Sequence, residues 1–326
     1  MRKSTVFFML IISLMALISG TVIILNPAAV GLVTGAFALP EETGRWEVHF
    51  CPEESCMDYL NRELAAASSA SCAFYELNLF NTTSILLEKE ALVFIDEDNV
   101  PSSYYLAYPI KGEGLMHHKF CVMDTGIVAT GSFNPTFFEN SHNDNNLFII
   151  DSPNLRENYA AEIESLAGKE VKTPHPEIMH DGFLIENYFC PRDNCERRVA
   201  DALDDAQESV YFMEYTFTSN RIENTLAAMQ RSGIEVKGVI EKFQSANEET
   251  FEYLTNANID VRWDGNPKLM HHKVFIIDNS TVIFGSYNPT KAATEINREN
   301  ILIVHNPELA AEFLREWERV WGMAEQ

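Results

Sequence analysis

The sequence predicts an α/β protein in which one domain occurs twice behind an N-terminal transmembrane helix. Three observations predict it: an uncharged apolar run at the start, alternating strand and helix signals after it, and motifs that recur in the same order. The chain has 326 residues, 46% of them hydrophobic, which is too apolar for disorder and long enough for two ordinary domains. It carries 48 Asp and Glu against 24 Lys and Arg, a formal charge of -24. Binding along a polyanion rests on Lys and Arg neutralising phosphates, so this balance argues against a broad nucleic-acid surface. Any phosphate has to be met locally.

At the N-terminus, Arg2 and Lys3 precede an uncharged stretch from Ser4 to Pro40. Its most apolar part, Val6 to Leu25, has the roughly 20 residues that a spanning helix needs. Positive charge before the span and Glu41-Glu42 after it place the remainder outside the cytoplasm. A cleaved secretory signal is the competing reading, with Ala36-Phe37-Ala38 as a small-x-small site. The apolar run exceeds the usual signal core, which favours an uncleaved anchor. Both readings export the chain: it is membrane-anchored with its body extracytoplasmic, or secreted if the segment is cleaved.

Four of the six cysteines form two copies of one pattern, Cys51-Pro-Glu-Glu-Ser-Cys56 and Cys190-Pro-Arg-Asp-Asn-Cys195. In an oxidising compartment each short loop is a candidate disulfide, with a metal site or free thiols as alternatives. Cys72 and Cys121 lie in apolar strand-like runs and read as small buried hydrophobes.

In order, the first half reads as strand Glu47 to Cys51, helix Met57 to Ser68, strand Cys72 to Leu77, short helix Ser84 to Glu90 and strand Ala91 to Ile95. The second reads as helix Ala200 to Gln207, strand Ser209 to Met213, helix Arg221 to Arg231, strand Glu235 to Ile240 and helix Glu248 to Asn256. Each half closes with an apolar strand (Asn146 to Ile150; Asn300 to Val304) and a helix behind a Pro-containing cap, Ser152-Pro153 or Asn306-Pro307. Pro174 and Pro176, in a stretch of little periodicity, mark the join. The chain therefore divides into an anchor and stalk at 1–44, a first domain at 45–168, a linker at 169–182 and a second domain at 183–326.

The chemistry-bearing segment is duplicated too. Met116-His117-His118-Lys119 recurs letter for letter as Met270-His271-His272-Lys273. Each copy continues to Asp124 or Asp278 and, after six intervening residues, to Gly131-Ser132-Phe133-Asn134 or Gly285-Ser286-Tyr287-Asn288. Side chains alternate along a strand, so His117 and Lys119 share a face and His118 takes the other. An imidazole able to attack or move a proton is thus presented with an ammonium able to hold a phosphate oxygen. Asp124 has the opposite parity to His117, which predicts a buried supporting role. Ser132, Asn134 and their counterparts offer donors to an oxyanion. His118 and His272 read as packed core residues, and adjacent strand residues diverge too far to share a metal ion.

These motifs, H-x-K-x4-D followed by G-S-x-N, resemble those of the phospholipase D superfamily over most of residues 45 to 326. The resemblance implies two tandem phospholipase D-like α/β domains related by a pseudo-twofold axis, sheets packed together, with one active site between them. It implies a monomer that is an intramolecular pseudo-dimer, and a cofactor-free, metal-independent phosphodiester reaction through a phosphohistidine. One of His117 and His271 would attack phosphorus and the other would protonate the leaving alcohol. Lys119, Lys273, Asn134 and Asn288 would hold the phosphate, with Ser132 and Ser286 in support, and Asp124 and Asp278 would stabilise loops. Family members carry an acidic residue after G-S-x-N that binds the catalytic His; Glu299 matches it, whereas the first copy has Asn145. On this reading His271 has the better carboxylate partner.

Alignment on the Cys-Pro motifs places Glu76 near Glu214, two acids at strand ends, each of which lines a cleft or is a capped or salt-bridged carboxylate. Asn81-Thr82-Thr83 and Asn279-Ser280-Thr281 match a glycosylation sequon, weakly. The C-P-x-x-x-C segments resemble the compact cardiolipin-hydrolase and nuclease branch. The anchor and the acidic balance favour a phospholipid membrane as the partner and substrate, ahead of single-stranded RNA or DNA cut by the same mechanism. Phosphatidyl transfer to an alcohol, as in a cardiolipin synthase, is a third reading. A silent lipid-binding protein would have lost a motif His or Lys, and none is missing.

Overall fold

The computed structural model describes residues 39, 41–101 and 106–325, and those from 41 on belong to one compact unit, Pro40–Gln326. The anchor reading falls on residues that lie outside the described ones. Among the described residues no helix is long and apolar enough to cross a membrane.

The first half contains β2 (Trp46–Cys51), α1 (Cys56–Ala66), β3 (Ala70–Phe74), α2 (Phe80–Glu88), β4 (Leu92–Asp96), β5 (Ala107–Ile110), β6 (Lys119–Met123), β7 (Ile127–Gly131), α3 (Phe137–Ser141), β8 (Asn145–Asp151) and α4 (Pro153–Leu166). A two-residue strand, β1 (Glu41–Glu42), precedes it, and β9 (Glu177–His180) follows within the stretch read as a linker. The second half contains β10 (Phe183–Cys190), α5 (Cys195–Asp204), β11 (Ser209–Glu214), α6 (Asn220–Arg231), β12 (Glu235–Ile240), α7 (Glu248–Asn256), β13 (Asp260–Trp263), β14 (Lys273–Ile277), β15 (Thr281–Gly285), α8 (Lys291–Glu295), β16 (Glu299–His305) and α9 (Pro307–Met323).

The two halves share one topology. One sheet runs β2-β8-β7-β6-β3-β4-β5, and the other repeats that order as β10-β16-β15-β14-β11-β12-β13, with β9 and β1 added beyond β10. β3, β4 and β5 are parallel, as are β11, β12 and β13, and the other neighbours in each repeated set are antiparallel.

Alternation along the strands sorts side chains between two cores. On β6, Phe120 and Val122 face a core shared by both sheets, while Cys121 and Met123 face the core of the first half's outer helices. Phe148 and Phe284 meet edge to face at 5.3 Å across the shared core, and the apolar faces of α4 and α9 fill it. Both helices start as their sequences predict: Ser152 accepts from Leu155 N–H and Asn306 from Glu308 and Leu309 N–H, each with proline in the first turn, where a missing N–H costs nothing.

All six cysteines are paired. Cys51–Cys56 and Cys190–Cys195 close the two C-P-x-x-x-C loops. Cys72 and Cys121 form a third disulfide, which corrects the reading of them as packed thiols. They stand directly opposite each other in the β3–β6 ladder, where two inward side chains on one face come close enough to bond.

Candidate active site

Each His motif is laid against the other half. Met116 bridges Arg298 and Met270 bridges Asp144; His117 N–H donates to Arg298 O at 2.9 Å and His271 N–H to Asp144 O at 2.8 Å. The segment before β6 thus runs beside the segment before β16, and the segment before β14 beside that before β8. The consequence is an exchange of partners. His117 Nδ1 lies 2.9 Å from Glu299 Oε2, and His271 Nδ1 lies 2.9 Å from Asn145 Oδ1. This corrects the expectation that Glu299 serves His271: a residue following G-S-x-N supports the His of the opposite half, which one copy's linear order does not show.

His117 and His271 share one cleft of about 850 Å3, lined also by Tyr75, Tyr215, Asn134 and Asn288. The Tyr75 ring meets His117 edge-on at 5.0 Å and the Tyr215 ring meets His271 at 4.6 Å. Lys119 and Lys273 are buried and do not line the cleft; their Nζ atoms lie 5.2 Å from the Tyr75 ring and 4.7 Å from the Tyr215 ring, each donating to the carbonyl of its own motif His at 2.6 Å. An ammonium has three donors, so each keeps capacity for phosphate oxygens.

Gly131 and Gly285 bring the G-S-x-N segments in. A Cβ there would stand 2.3 Å from Asn146 O and 2.2 Å from Asn300 O, so only glycine lets these turns close on the neighbouring strand. Asn134 and Asn288 reach the cleft, and the side-chain oxygen of each is buried without a hydrogen-bond partner among the described residues. Ser132 and Ser286 do not line it. Ser132 Oγ donates to Asn145 Oδ1 at 3.0 Å and accepts from Asn146 N–H, while Ser286 Oγ accepts from Asn300 N–H. The serines hold the strands carrying the histidine partners.

The motif aspartates stand apart from the cleft. Asp124 is exposed, not buried as its parity suggested, and accepts from Ser68 N–H; Asp278 accepts from the N–H groups of Gln207, Glu208 and Ser209. Each ties the turn after its strand to the preceding loop. His118 and His272 are buried structural residues: Nε2 of each binds a helix carboxylate, Glu162 at 3.1 Å or Glu316 at 2.9 Å.

Glu76 lines the cleft and burial raises its pKa, with Glu139 adding to the effect. Glu214 is not its counterpart. It pairs with Lys273 across the ladder as Phe74 pairs with Lys119, and Tyr215 matches Tyr75, so the alignment on cysteines is displaced by one residue here. Glu214 is fully buried, which raises its pKa well above the carboxylate range.

Burial is the first cause of every shift at the centre. It lowers His117 against the opposing pull of Glu299, and takes His271 down to about 3 against Glu139. It also takes Lys119 down to about 8 and, with help from Lys119, Lys273 to about 7. Burial thus disfavours the charged form of both imidazoles and both lysines, a cost that a nearby negative charge would offset. Among the described residues no group of three or more His, Cys, Asp or Glu side chains could hold a metal ion.

The sequence model described as "Cardiolipin synthase, PLD-like domain" matches residues 82–167 and 199–321, more than half of the chain. The chain belongs to the phospholipase D-like family of phosphodiesterases. Among relatives of this phospholipase D-like chain, phospholipase D of Rickettsia bellii is 34% identical over 157 residues, covering 44% of this chain and 76% of that protein. Human mitochondrial cardiolipin hydrolase is 34% identical over 125 residues, covering 38% of this chain and 50% of that protein. Each aligned stretch amounts to about one of the two halves. Phosphatidylserine synthase of Haemophilus influenzae has a TM-score of 0.63 at 12% identity, covering 85% of this chain and 87% of that one, a likeness of fold alone.

Proposed function

We propose that this protein is a membrane-anchored, metal-independent phospholipid phosphodiesterase acting through a phosphohistidine. The observation that carries the reading is two histidines from opposite halves in one cleft, with two buried lysines against the tyrosine rings that line it. With Nδ1 committed to Glu299 or Asn145, each ring has Nε2 left for chemistry, and that atom has no hydrogen-bond partner among the described residues. A bound phosphodiester brings negative charge that raises both imidazoles and both lysines, so one His becomes protonated while the other keeps its lone pair. The neutral Nε2 attacks phosphorus, forming a P–N bond as the P–O bond breaks, and the imidazolium gives its proton to the leaving oxygen. That second His then takes a proton from water, whose oxygen attacks phosphorus as the P–N bond breaks. Lys119 and Lys273 hold the non-bridging oxygens, and Asn134 and Asn288 orient them.

The rim of the cleft supports a lipid substrate. Phe138, Phe243 and Leu115 line it while 56%, 58% and 40% exposed, and Phe137, 55% exposed, meets Phe138 at 5.6 Å. Such side chains gain by entering a bilayer interface. Three disulfides fit the exported location that the N-terminal segment suggests. Exposed aromatics also stack on unpaired bases, so cleavage of single-stranded nucleic acid is the second reading. Transfer to an alcohol in place of water gives a phosphatidyltransferase from the same intermediate.

The test offers labelled phospholipid vesicles and labelled single-stranded RNA and DNA, in EDTA, to the full chain and its His117→Asn and His271→Asn variants. Lipid cleavage lost in both variants supports the proposal. Cleavage of nucleic acid alone would move the function to the second reading, and activity surviving both substitutions would remove the mechanism.

A further inference from the structure

We propose that Glu139 is a positioning residue for His271, supplying from α3 the carboxylate that β8 lacks at Asn145. The inference rests on the phosphodiesterase reading and names a residue that no motif of the sequence contains.

The two halves differ at two matched positions. Thr136 and Thr290 cap α3 and α8 in the same way, so Glu139 corresponds to Ala293, and Asn145 corresponds to Glu299. The second half has alanine on the helix and glutamate on the strand; the first has glutamate on the helix and asparagine on the strand. The carboxylate has changed elements and kept its target. Glu139 Oε2 lies 3.4 Å from His271 Nδ1, and the residue is buried.

Its contacts explain the asparagine. Asn145 Nδ2 donates to Glu139 Oε2 at 2.6 Å, and Asn143 Nδ2 donates to the same oxygen at 3.2 Å. Because Glu139 takes the amide's N–H groups, Asn145 Oδ1 must face His271, where it accepts at 2.9 Å. His271 then carries its proton on Nδ1, and Nε2 is left with a lone pair towards the cleft. Glu139 therefore sets the tautomer through Asn145 and places a negative charge beside the ring when it becomes imidazolium. The other charged groups that bear on His271 are Lys273 on β14 and Lys119 on β6, both opposing that charge, with the Tyr215 ring against its face. Glu139 is the carboxylate that offsets them.

The test compares the full chain with Glu139→Gln, Glu139→Ala and the double variant Glu139→Ala/Asn145→Glu, which rebuilds the second half's arrangement. Turnover of bis(p-nitrophenyl) phosphate is measured alongside thermal unfolding and the imidazole 15N signals of labelled histidine, with His271 assigned from His271→Asn. Glu139→Gln keeps an acceptor for Asn145 and loses the charge, so kcat should fall roughly 10²-fold with KM changed by less than about threefold. The double variant should return to within about 10-fold of the parent, as a relocated carboxylate restores the pair. The Nδ1 signal of His271 should move in Glu139→Gln while that of His117 stays. Unchanged turnover in Glu139→Gln, an unmoved His271 signal, or no recovery in a double variant that unfolds at the parent temperature would overturn the proposal. The 15N signals need no turnover, so an inactive parent chain would refute the phosphodiesterase reading separately.

Discussion

Replacing Glu299 with glutamine removes one charge from the centre while leaving the side chain's shape. Glu299 is fully buried and its Oε2 is 2.9 Å from His117 Nδ1. At an effective dielectric constant of about 20, a unit charge at that distance favours imidazolium by about 6 kcal/mol, a ceiling that the retained amide hydrogen bond reduces. Comparable carboxylate-to-amide changes beside a catalytic His cost about 10⁴-fold, so kcat should fall by about 10³ to 10⁴, or about 4 to 5 kcal/mol of barrier. The assay is single-turnover hydrolysis of bis(p-nitrophenyl) phosphate with thermal unfolding as the control for folding. The 15N signals of His117 should shift in the variant and those of His271 should hold. A folded Glu299→Gln variant within about 10-fold of the parent would refute the reasoning, since no charge would then be needed at His117. Movement of His271 instead would refute the exchange of partners between the halves.

Three further outcomes follow from the same geometry. Lys119 near 8 and Lys273 near 7 lose their protons well below the ordinary lysine range, so anion binding weakens as pH rises through that window; inhibition by inorganic phosphate should decline between pH 7 and 9, about three units earlier than for ordinary lysines, and constant inhibition up to about pH 10 would contradict it. The Cys72–Cys121 bridge spans a sequence separation of 49, so Cys72→Ser/Cys121→Ser should destabilise by about 4 kcal/mol in denaturant unfolding, against about 2 kcal/mol for either short loop. Arg319 binds Asp144 at 2.5 Å and Glu316 at 2.7 Å, both carboxylates being buried. Arg319→Met leaves them without their cation and should cost about 3 kcal/mol or more, read from the shift in urea midpoint.

The duplication and the shared face of each motif His and Lys were legible in the sequence because they are written in local spacing. His117-x-Lys119 and His271-x-Lys273 needed only strand parity, and the caps of α4 and α9 only their Ser-Pro and Asn-Pro signals. What depended on the meeting of the halves was not legible. Glu299 and His271 are near in sequence, yet the bridges Met116–Arg298 and Asp144–Met270 give Glu299 to His117. Glu139 follows two exposed phenylalanines in a five-residue helix and reads as a surface acid; only the fold buries it against Asn145 and His271. Its one sequence signal was the mismatch between Glu139/Asn145 and Ala293/Glu299 in the aligned copies. Cys72 and Cys121 looked like ordinary core residues since a disulfide across a ladder depends on register, although two cysteines left over from four paired ones pointed the same way. The displacement of Glu214 from Glu76 came from unequal loop lengths between the copies, which a fixed offset does not absorb.

The central claim is that the two halves form one site in which a histidine carries the phosphoryl group. Rapid acid-free quenching of the full chain with 32P-labelled phosphodiester in EDTA, followed by peptide mapping, measures it directly. The expected result is an acid-labile, base-stable adduct on either His117 or His271, absent when that residue is asparagine. An adduct on serine, or steady turnover with no adduct on either histidine, would contradict it.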